Sequence, residues 1–300
     1  MSANVISVSR RTDVPAFHSR WFFRRLQEGF AEYRNPFNGR ICRVSLKAED
    51  VRAFVFWTRN IAPFLGHLAE IRRRGLPFVV QFTATGYPRA LESSVIGPEP
   101  AALQIRALAD AYGPRAVVWR YDPVLIGDLT PPDKHLAIFG ALANALEGAV
   151  DEAVISFAHI YKKTRRNLDR AAAREGFTWR DPGVAEKQEL AAGLAEIAAA
   201  RGMRLTVCAQ PDHLAGDAVA ARCIDAGRLS DVAGRPIGAK QKGNRPGCLC
   251  HRSRDIGAYE TCPHGCVYCY AVSDRDAARR RFKAHDPAGE FLFPPGANAN

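Results

Sequence analysis

Three cysteines late in the sequence stand close enough together to bind one metal centre. The segment TCPHGCVYCYA, residues 261–271, contains Cys262, Cys266 and Cys269 in the spacing C-x3-C-x2-C. Three thiolates on one tight loop suit a cubane [4Fe–4S] cluster, in which each thiolate binds a different iron. Gly265 allows the backbone to turn sharply between the first two ligands. The fourth iron is then open to a substrate, a cofactor or another thiolate.

Two further cysteines, Cys248 and Cys250, are candidates for that fourth ligand. Five of the eight cysteines lie between positions 248 and 269, and such a density indicates metal binding. Zinc prefers paired C-x2-C knuckles or mixed Cys and His sets, which the C-x3-C-x2-C spacing does not resemble. A zinc site is the alternative hypothesis, assembled from Cys248, Cys250, Cys262 and Cys266, with His251 or His264 able to replace one of them.

The composition predicts a cytoplasmic protein with no membrane partner. The chain has 300 residues, of which 47% are hydrophobic and 24% charged. It contains no apolar run long enough to span a membrane, and its first residues lack the apolar core of a secretion signal. Thiols stay reduced in the cytoplasm, so we expect the clustered cysteines to bind metal and not to form disulfides.

The positive charge favours an anionic partner. The formal net charge is +11, which is compatible with nucleic acid or with an anionic small-molecule substrate. An arginine-rich composition without such a partner is the alternative. A cluster would also require a reductant as partner. One basic stretch, residues 235–255, leads into the cysteine segment with a single acid and six cations, which are Arg235, Lys240, Lys242, Arg245, Arg252 and Arg254.

Six short apolar runs alternate with amphipathic stretches, which predicts parallel strands joined by helices. The predicted fold is α/β, a (β/α)6 partial TIM-barrel-like core over residues 1–234 of a single domain. A basic, cysteine-rich cluster-binding segment follows at 235–285, and a tail at 286–300. An open doubly wound sheet is the alternative, weakened because no G-x-G-x-x-G follows the first strand. The predicted strands are residues 5–9, 54–57, 78–83, 116–120, 153–157 and 204–208.

Polar residues follow the predicted strands, where parallel α/β folds bind their ligands. We expect them to form one cationic mouth suited to a carboxylate or phosphate. His159 could instead be a packing histidine, and Cys42 and Cys223 are interpreted as small buried hydrophobes. The candidates are Arg10, Arg11 and Asp13 after the first strand, Arg59 after the second, Thr83 at the third, Arg120 and Asp122 at the fourth, and His159 after the fifth.

The cysteine motif resembles that of the radical S-adenosylmethionine (SAM) superfamily. C-x3-C-x2-C with an aromatic residue before the last cysteine is the cluster motif of that family. The resemblance implies that Cys262, Cys266 and Cys269 bind the cluster, that Tyr268 occupies the aromatic position and that SAM binds the open iron. The usual fold of the family is a partial (β/α)6 barrel, with the motif after the first strand. In this sequence the motif follows the last strand, which can neighbour the first in a barrel.

The whole chain also resembles a bacterial family of unknown function, through ISVSRRTDVPAF, NPFN, WRYDP and DIGAYETCPHGCVYCYA. It is similar to a permuted relative of radical SAM enzymes such as spore photoproduct lyase. The resemblance implies an iron–sulfur enzyme with lyase or transferase chemistry, and the alternative is a non-SAM cluster or zinc protein that binds nucleic acid without catalysis. We expect catalytic roles for Arg10, Arg11, Asp13, Arg120 and Asp122, and cofactor binding by Tyr268, Arg59, Thr83 and His159.

Overall fold

The six strands predicted from sequence form the centre of one parallel sheet. The computed structural model describes residues 4–294 of the chain. All six runs are strands, because apolar side chains on both faces can be buried only inside a layered sheet. The strands of the described residues are β1 (Asn4–Val8), β2 (Phe30–Arg34), β3 (Ile41–Ser45), β4 (Val51–Thr58), β5 (Phe78–Thr83), β6 (Val117–Val124), β7 (Ile126–Gly127), β8 (Glu152–Phe157), β9 (Trp179–Arg180), β10 (Arg204–Val207), β11 (Val219–Ala220) and β12 (Arg254–Asp255).

The main sheet has eight strands in the order β11-β10-β8-β6-β5-β4-β1-β12, and every pairing in it is parallel. The predicted partial TIM-barrel-like arrangement is not confirmed, and the sheet is not closed. Closure would require the first and last central strands, β1 and β10, to pair with each other. Their outer edges are instead occupied by the two-residue strands β12 and β11. The sheet is therefore an open, parallel one whose central strands follow each other in chain order.

Helices pack on one face of this sheet and bury its larger side chains. Phe54 and Phe56 of β4 share a core with Trp21 and Phe22 of α2 (Ser19–Glu28). The amphipathic stretches between the predicted strands form helices, among them α2, α3 and α7. No helix of the described residues is long and apolar enough to cross a membrane. The helices are α1 (Val14–Phe17), α2 (Ser19–Glu28), α3 (Leu65–Arg73), α4 (Pro98–Tyr112), α5 (Pro132–Leu146), α6 (Lys162–Glu175), α7 (Val184–Ala199), α8 (Ala226–Ala233) and α9 (Arg275–Lys283).

The chain between β11 and β12 covers the other face of the sheet. The alternate strand residues Val55 and Val118 point to this side and share a second core with Leu229 of α8. Ile237 and Cys250, from the basic stretch 235–255, belong to the same core. The first part of the predicted cluster-binding segment therefore packs across this face and contributes β12 to the sheet edge, whereas Tyr268 of the later part belongs to the first core.

The end of the described chain lies against α2 and the β2–β3 hairpin. The indole N–H of Trp21 donates a hydrogen bond to the carbonyl of Gly289 at 3.0 Å. Phe291 forms a parallel bridge with Glu32 of β2. The first part of the predicted tail is thus a packed segment, while residues 295–300 lie outside the described residues.

Candidate metal centre at the carboxyl edge of the sheet

Polar side chains from neighbouring strands meet at the carboxyl edge of the sheet, because parallel strands all end on that side. They divide into two groups. The group that follows β1, β4 and β5 contacts the cysteine loop, defined here as residues 261–271. The group on β6, β8 and β10 lies toward the other cysteines. The two groups are described in turn.

Asp255 of β12 organises the arginines that follow β1. Its carboxylate accepts hydrogen bonds from the hydroxyls of Ser7 at 2.9 Å and Ser9 at 2.6 Å, and from the backbone N–H of Arg10 at 3.0 Å. The guanidinium groups of Arg10 and Arg11 lie 3.6 and 3.9 Å from the same carboxylate. Burial alone would raise the pKa of Asp255, but the two arginines lower it below its ordinary value. Arg10 and Arg11 are therefore fixed beside a charged carboxylate.

The cysteine loop is fastened to the segment that follows β5. The backbone N–H of Val267 donates to the carbonyl of Leu91 at 3.0 Å. Next to this bond, Glu92 and Cys266 form an antiparallel bridge. The loop therefore runs beside the chain that leaves β5, and this pairing brings a late segment of the sequence to the carboxyl edge.

The three cysteines of the loop are half-buried and close enough to affect one another's ionisation. Burial raises the pKa of Cys262 to about 12 and also raises the pKa values of Cys266 and Cys269. Backbone N–H groups act in the opposite direction: Ala271 donates to the Cys269 sulfur at 3.3 Å, and His264 lowers the pKa of Cys262. Within residues 4–294, no three His, Cys, Asp or Glu side chains are gathered to hold a metal ion as they stand.

Arg59 and Tyr268 meet in a buried polar network beneath the loop. The Arg59 guanidinium donates to Glu92 Oε1 at 2.8 Å, to the Tyr268 hydroxyl at 2.7 Å and to the Thr85 hydroxyl at 3.2 Å. Tyr268 and Thr85 in turn donate to the Glu92 carboxylate. Burial opposes the charge of Arg59, but Glu92 raises the pKa of Arg59 well above its usual value. Tyr268, the aromatic residue of the motif, is therefore hydrogen-bonded to a buried ion pair at the end of β4.

Asp13 begins helix α1 and also holds the cysteine loop. Its Oδ1 accepts a hydrogen bond from the backbone N–H of Ala16 at 2.9 Å, as an N-cap residue does. Its Oδ2 accepts from the backbone N–H of Arg59 at 2.7 Å and lies 2.7 Å from His264 Nε2. His264 belongs to the cysteine loop. Asp13 therefore connects this loop to the chain that follows β1 and to the chain that follows β4.

Arg120 and Asp122 lie in the second group, on the side of β6 and β8. One Arg120 nitrogen donates to Gln81 Oε1 and to the Cys223 sulfur, both at 3.1 Å. The other nitrogen of Arg120 pairs with Asp122, which also accepts a hydrogen bond from the hydroxyl of Ser156. The structure therefore places Arg120 against Cys223 and Arg59 at the cysteine loop. The Arg10 guanidinium reaches Asn244 of the basic stretch at 3.2 Å, while its backbone carbonyl accepts a hydrogen bond from Tyr270 of the loop.

Cys248 and Cys250 lie beside two cysteines that the sequence leaves isolated. The Cys223 sulfur is 3.3 Å from the Cys208 sulfur. Cys250 packs in the same core as Cys223 and Cys248, and its proximity lowers the pKa of Cys248 to about 5. The structure thus groups Cys248 and Cys250 with Cys208 and Cys223, and not with the cysteine loop. Cys223 is buried, as interpreted from sequence, but it also contacts thiols.

Thr83 and His159 have smaller parts in these contacts than the sequence predicts. Thr83 ends β5 half-buried, and it is Thr85, two residues later, that contacts Arg59. His159 is exposed, and its Nε2 lies 3.4 Å from the side chain of Gln210. Partial burial and nearby cations lower the pKa of His159 below its ordinary value.

A cleft of about 420 Å³ opens beside Arg11, between the β2–β3 hairpin and the residues that precede the cysteine loop. Its lining combines aromatic and cationic side chains, which suits a ligand with an apolar body and an anionic group. The side chains that matter for this recognition are Arg11, Tyr33, Arg34, Tyr259 and Phe291.

Several residues of the site carry weak sequence signals or none. Asp255 could have been singled out as the only acid within the basic stretch 235–255. Glu92 and Thr85 have no motif around them, and only the folded path of the chain after β5 brings them to Arg59. The sequence offers His264 as a zinc ligand, whereas in the structure its ring faces Asp13.

These features define an α/β protein whose open parallel sheet carries a three-cysteine loop over its carboxyl edge. A family model described as a domain of unknown function, DUF1848, matches residues 5–271, and the chain belongs to this family. No curated protein matches the sequence. The resemblance to a family of unknown function is thus confirmed, while the resemblance to radical SAM enzymes stays a prediction.

Proposed function

We propose that this chain is an iron–sulfur enzyme of radical SAM type that holds a [4Fe–4S] cluster on Cys262, Cys266 and Cys269. One observation carries the proposal: the three cysteines share one loop, and that loop lies on the strand-end residues Asp13 and Arg59. Ligands of parallel α/β folds bind at this edge. The loop therefore lies at the carboxyl ends of β1 and β4, although the motif comes late in the sequence.

The residues of the loop fit a cluster. Backbone N–H groups already face the sulfurs of Cys262 and Cys269, as donors to a thiolate would. Gly265 has a φ of +75°, and a Cβ there would lie 2.2 Å from the Ser93 hydroxyl. Only glycine therefore permits this turn between the first two cysteines.

The central strands support a relationship to a partial barrel. From β1 to β10 they neighbour one another in chain order, without the reversal that marks a doubly wound sheet. A barrel is wound in the same way. We infer that the sheet is an opened version of the (β/α)6 arrangement, with β12 added beside β1.

A cluster held by Cys262, Cys266 and Cys269, once reduced by an external electron donor, would supply the electron that cleaves SAM into methionine and a 5′-deoxyadenosyl radical. The chain's own residues would bind and orient the reactants. Arg11 lines the cleft and can pair with a carboxylate or phosphate, while Asp255 fixes its direction. Tyr259, three residues before Cys262, lines the same cleft and can cover an aromatic or ribose group. Arg59 and Glu92 would hold the loop rigid while a ligand binds.

The test is to purify and reconstitute the full-length chain without oxygen. We expect about four iron and four sulfide per chain, the content of one cubane cluster. The electron paramagnetic resonance signal of the reduced cluster should change when SAM is added, and 5′-deoxyadenosine should form. A cluster whose spectrum is indifferent to SAM would favour the alternative, a non-SAM cluster protein. Protein that binds no iron at the loop would contradict both.

A basic surface next to the cysteine loop supports nucleic acid as the substrate class. Asn167 of α6 donates a hydrogen bond at 3.2 Å to the carbonyl of Val272, in the segment that leads into α9. Arg275 donates from α9 to the Gly265 carbonyl in the loop at 3.0 Å. Exposed cations outnumber the three exposed acids on these two helices. The cations are Lys162, Arg165, Arg166, Arg170 and Arg174 on α6 and Arg279, Arg280 and Lys283 on α9.

Exposed tyrosines accompany this surface. Tyr161, Tyr259 and Tyr270 are 48, 36 and 46% exposed. Tyr161 precedes α6, Tyr259 lies 5.5 Å from the ammonium of Lys163, and Tyr270 follows Cys269 directly. Cations that follow a phosphate backbone, combined with aromatic rings on which bases stack, are the means by which proteins bind single strands. We therefore propose single-stranded nucleic acid as the substrate class.

Reversing two charges of α9 should weaken this binding. For the Arg279→Glu/Arg280→Glu variant we expect affinity for a fluorescent single-stranded oligonucleotide to fall at least about tenfold at low salt. The slope of log affinity against log salt should become shallower by about 0.7 for each phosphate group that the variant no longer neutralises. Fluorescence anisotropy measures both quantities.

The matched control reverses the charges of Arg72 and Arg73. Both are exposed at the end of α3, which leads into the start of β5 and so lies at the opposite end of the strands from the cysteine loop. It makes the same change in net charge, so it separates a local effect from a general one. Equal losses of affinity in the two variants would contradict a specific surface on α6 and α9.

A further inference from the structure

Four cysteines outside the loop meet on the sheet face opposite helices α2 to α7. Cys208 follows β10, Cys223 follows β11, and Cys248 and Cys250 lie in the basic stretch. The Cys208 and Cys223 sulfurs are 3.3 Å apart, and all four cysteines pack in one core, with Cys223 and Cys250 buried in it and Cys208 and Cys248 at its margin. Three separate segments thus bring thiols to one place. We call these four residues the thiol quartet.

Two arginine side chains contact the quartet. The Arg120 guanidinium is 3.1 Å from the Cys223 sulfur, and the Arg245 guanidinium is 3.9 Å from the Cys208 sulfur. Four thiolates around a divalent ion carry a net charge of about −2, which nearby guanidinium groups stabilise. Cys223 and Cys250 are buried whereas Cys208 and Cys248 are half-buried, so an ion can reach the sulfurs from solvent.

The loop that carries Cys248 has a shape that requires glycine at two positions. A Cβ on Gly243 would lie 2.2 Å from the carbonyl oxygen of Cys248. Gly247 has a φ of +73°, and a Cβ there would lie 2.9 Å from Pro211, which follows β10. The tight loop therefore packs Cys248 against the same end of β10 that carries Cys208.

We propose that the thiol quartet binds one zinc ion as a structural four-cysteine site. Soft thiolates select zinc or iron–sulfur clusters. Sulfurs around tetrahedral zinc lie about 3.8 Å apart, given a zinc–sulfur distance of about 2.3 Å. The 3.3 Å contact between Cys208 and Cys223 is near this spacing, whereas a cubane separates its cysteine sulfurs further. The four side chains share one core, and rotation about their side-chain bonds would gather the sulfurs around the ion.

Such an ion would tie the end of β10 to the basic stretch and hold that stretch over the sheet. Its binding free energy would contribute to folding, as in other structural zinc sites. The site does not rest on the proposed function, because the quartet and the cysteine loop share no residue.

The test compares metal content among full-length variants purified with zinc present. We expect about one tightly held zinc per chain at a four-thiolate site, lost in Cys223→Ser/Cys250→Ser and kept in Cys42→Ser, which alters a cysteine of the β2–β3 hairpin. Cys266→Ser should keep zinc while losing iron, so the two sites are judged separately. Zinc retained by Cys223→Ser/Cys250→Ser would overturn the proposal.

A second measurement uses the unaltered chain, in case the double variant does not fold. After zinc removal under reducing conditions, cobalt should bind with the sulfur-to-metal charge-transfer and intense visible bands of a tetrahedral thiolate site. Cobalt spectra without thiolate bands would overturn the proposal. So would iron and sulfide held by the quartet, or a Cys208–Cys223 disulfide in protein that holds no zinc.

Discussion

Replacing Cys266 by alanine should remove the iron–sulfur centre, with iron and sulfide falling to background after anaerobic reconstitution. The cysteine loop offers three thiolates, so the loss of one leaves a cubane with only two protein ligands. Cys266 is the central ligand, and its backbone is already positioned by the bridge to Glu92. Iron and sulfide analysis measures the effect directly, and SAM cleavage should be lost together with the cluster.

Cys42→Ala is the matched control for this prediction. Cys42 lies on β3, half-buried, where its thiol contacts the Arg40 carbonyl at 3.9 Å. Both variants remove one thiol, so unspecific iron binding to cysteines would fall equally in the two. An unchanged cluster in Cys266→Ala, with its thermal unfolding also unchanged, would show that the loop does not hold the iron.

The central sheet could be predicted because its strands carry their own signal. Apolar runs such as Phe78–Thr83 are buried on both faces of the sheet. The amphipathic stretches between them predict helical connections, which join parallel strands. The added strands could not be predicted in this way. β11 and β12 have two residues each, and Arg254 and Asp255 become strand only because they lie along the free edge of β1. The partial barrel predicted from sequence is not confirmed, and the free edge of β1 is occupied by β12.

The candidate site was predictable to the extent that it follows from strand ends. Asp13, Arg59 and Tyr268 do come together, because two of them end neighbouring parallel strands and the third belongs to the cysteine loop. Partners supplied by irregular chain were missed, and Glu92 is the clearest example. Proximity in sequence groups Cys248 with the cysteine loop, whereas the tertiary path brings it to Cys208 and Cys223. Sequence distance is a poor guide where loops cross a sheet.

Glu92→Leu should lower the free energy of unfolding by about 3–5 kcal/mol, the cost of leaving one partner of a buried ion pair uncompensated. Glu92 is 2% exposed and Arg59 is 9% exposed, so water cannot replace the lost carboxylate. Tyr268 and Thr85 lose their acceptor as well. Chemical denaturation of the cluster-free chain measures this change without any contribution from iron.

The double variant Arg59→Met/Glu92→Leu distinguishes a buried charge from simple misfolding. It removes the uncompensated guanidinium, so it should recover much of the stability lost in Glu92→Leu. The surface pair Arg180 and Glu186 provides the control, since Glu186→Leu breaks an ion pair that solvent already screens and should leave the denaturation midpoint nearly unchanged. If the double variant is as unstable as Glu92→Leu, the carboxylate acts through the packing of the cysteine loop and not through charge. Recovery would instead show that the loss in Glu92→Leu comes from the uncompensated Arg59 guanidinium, and iron uptake should recover together with stability.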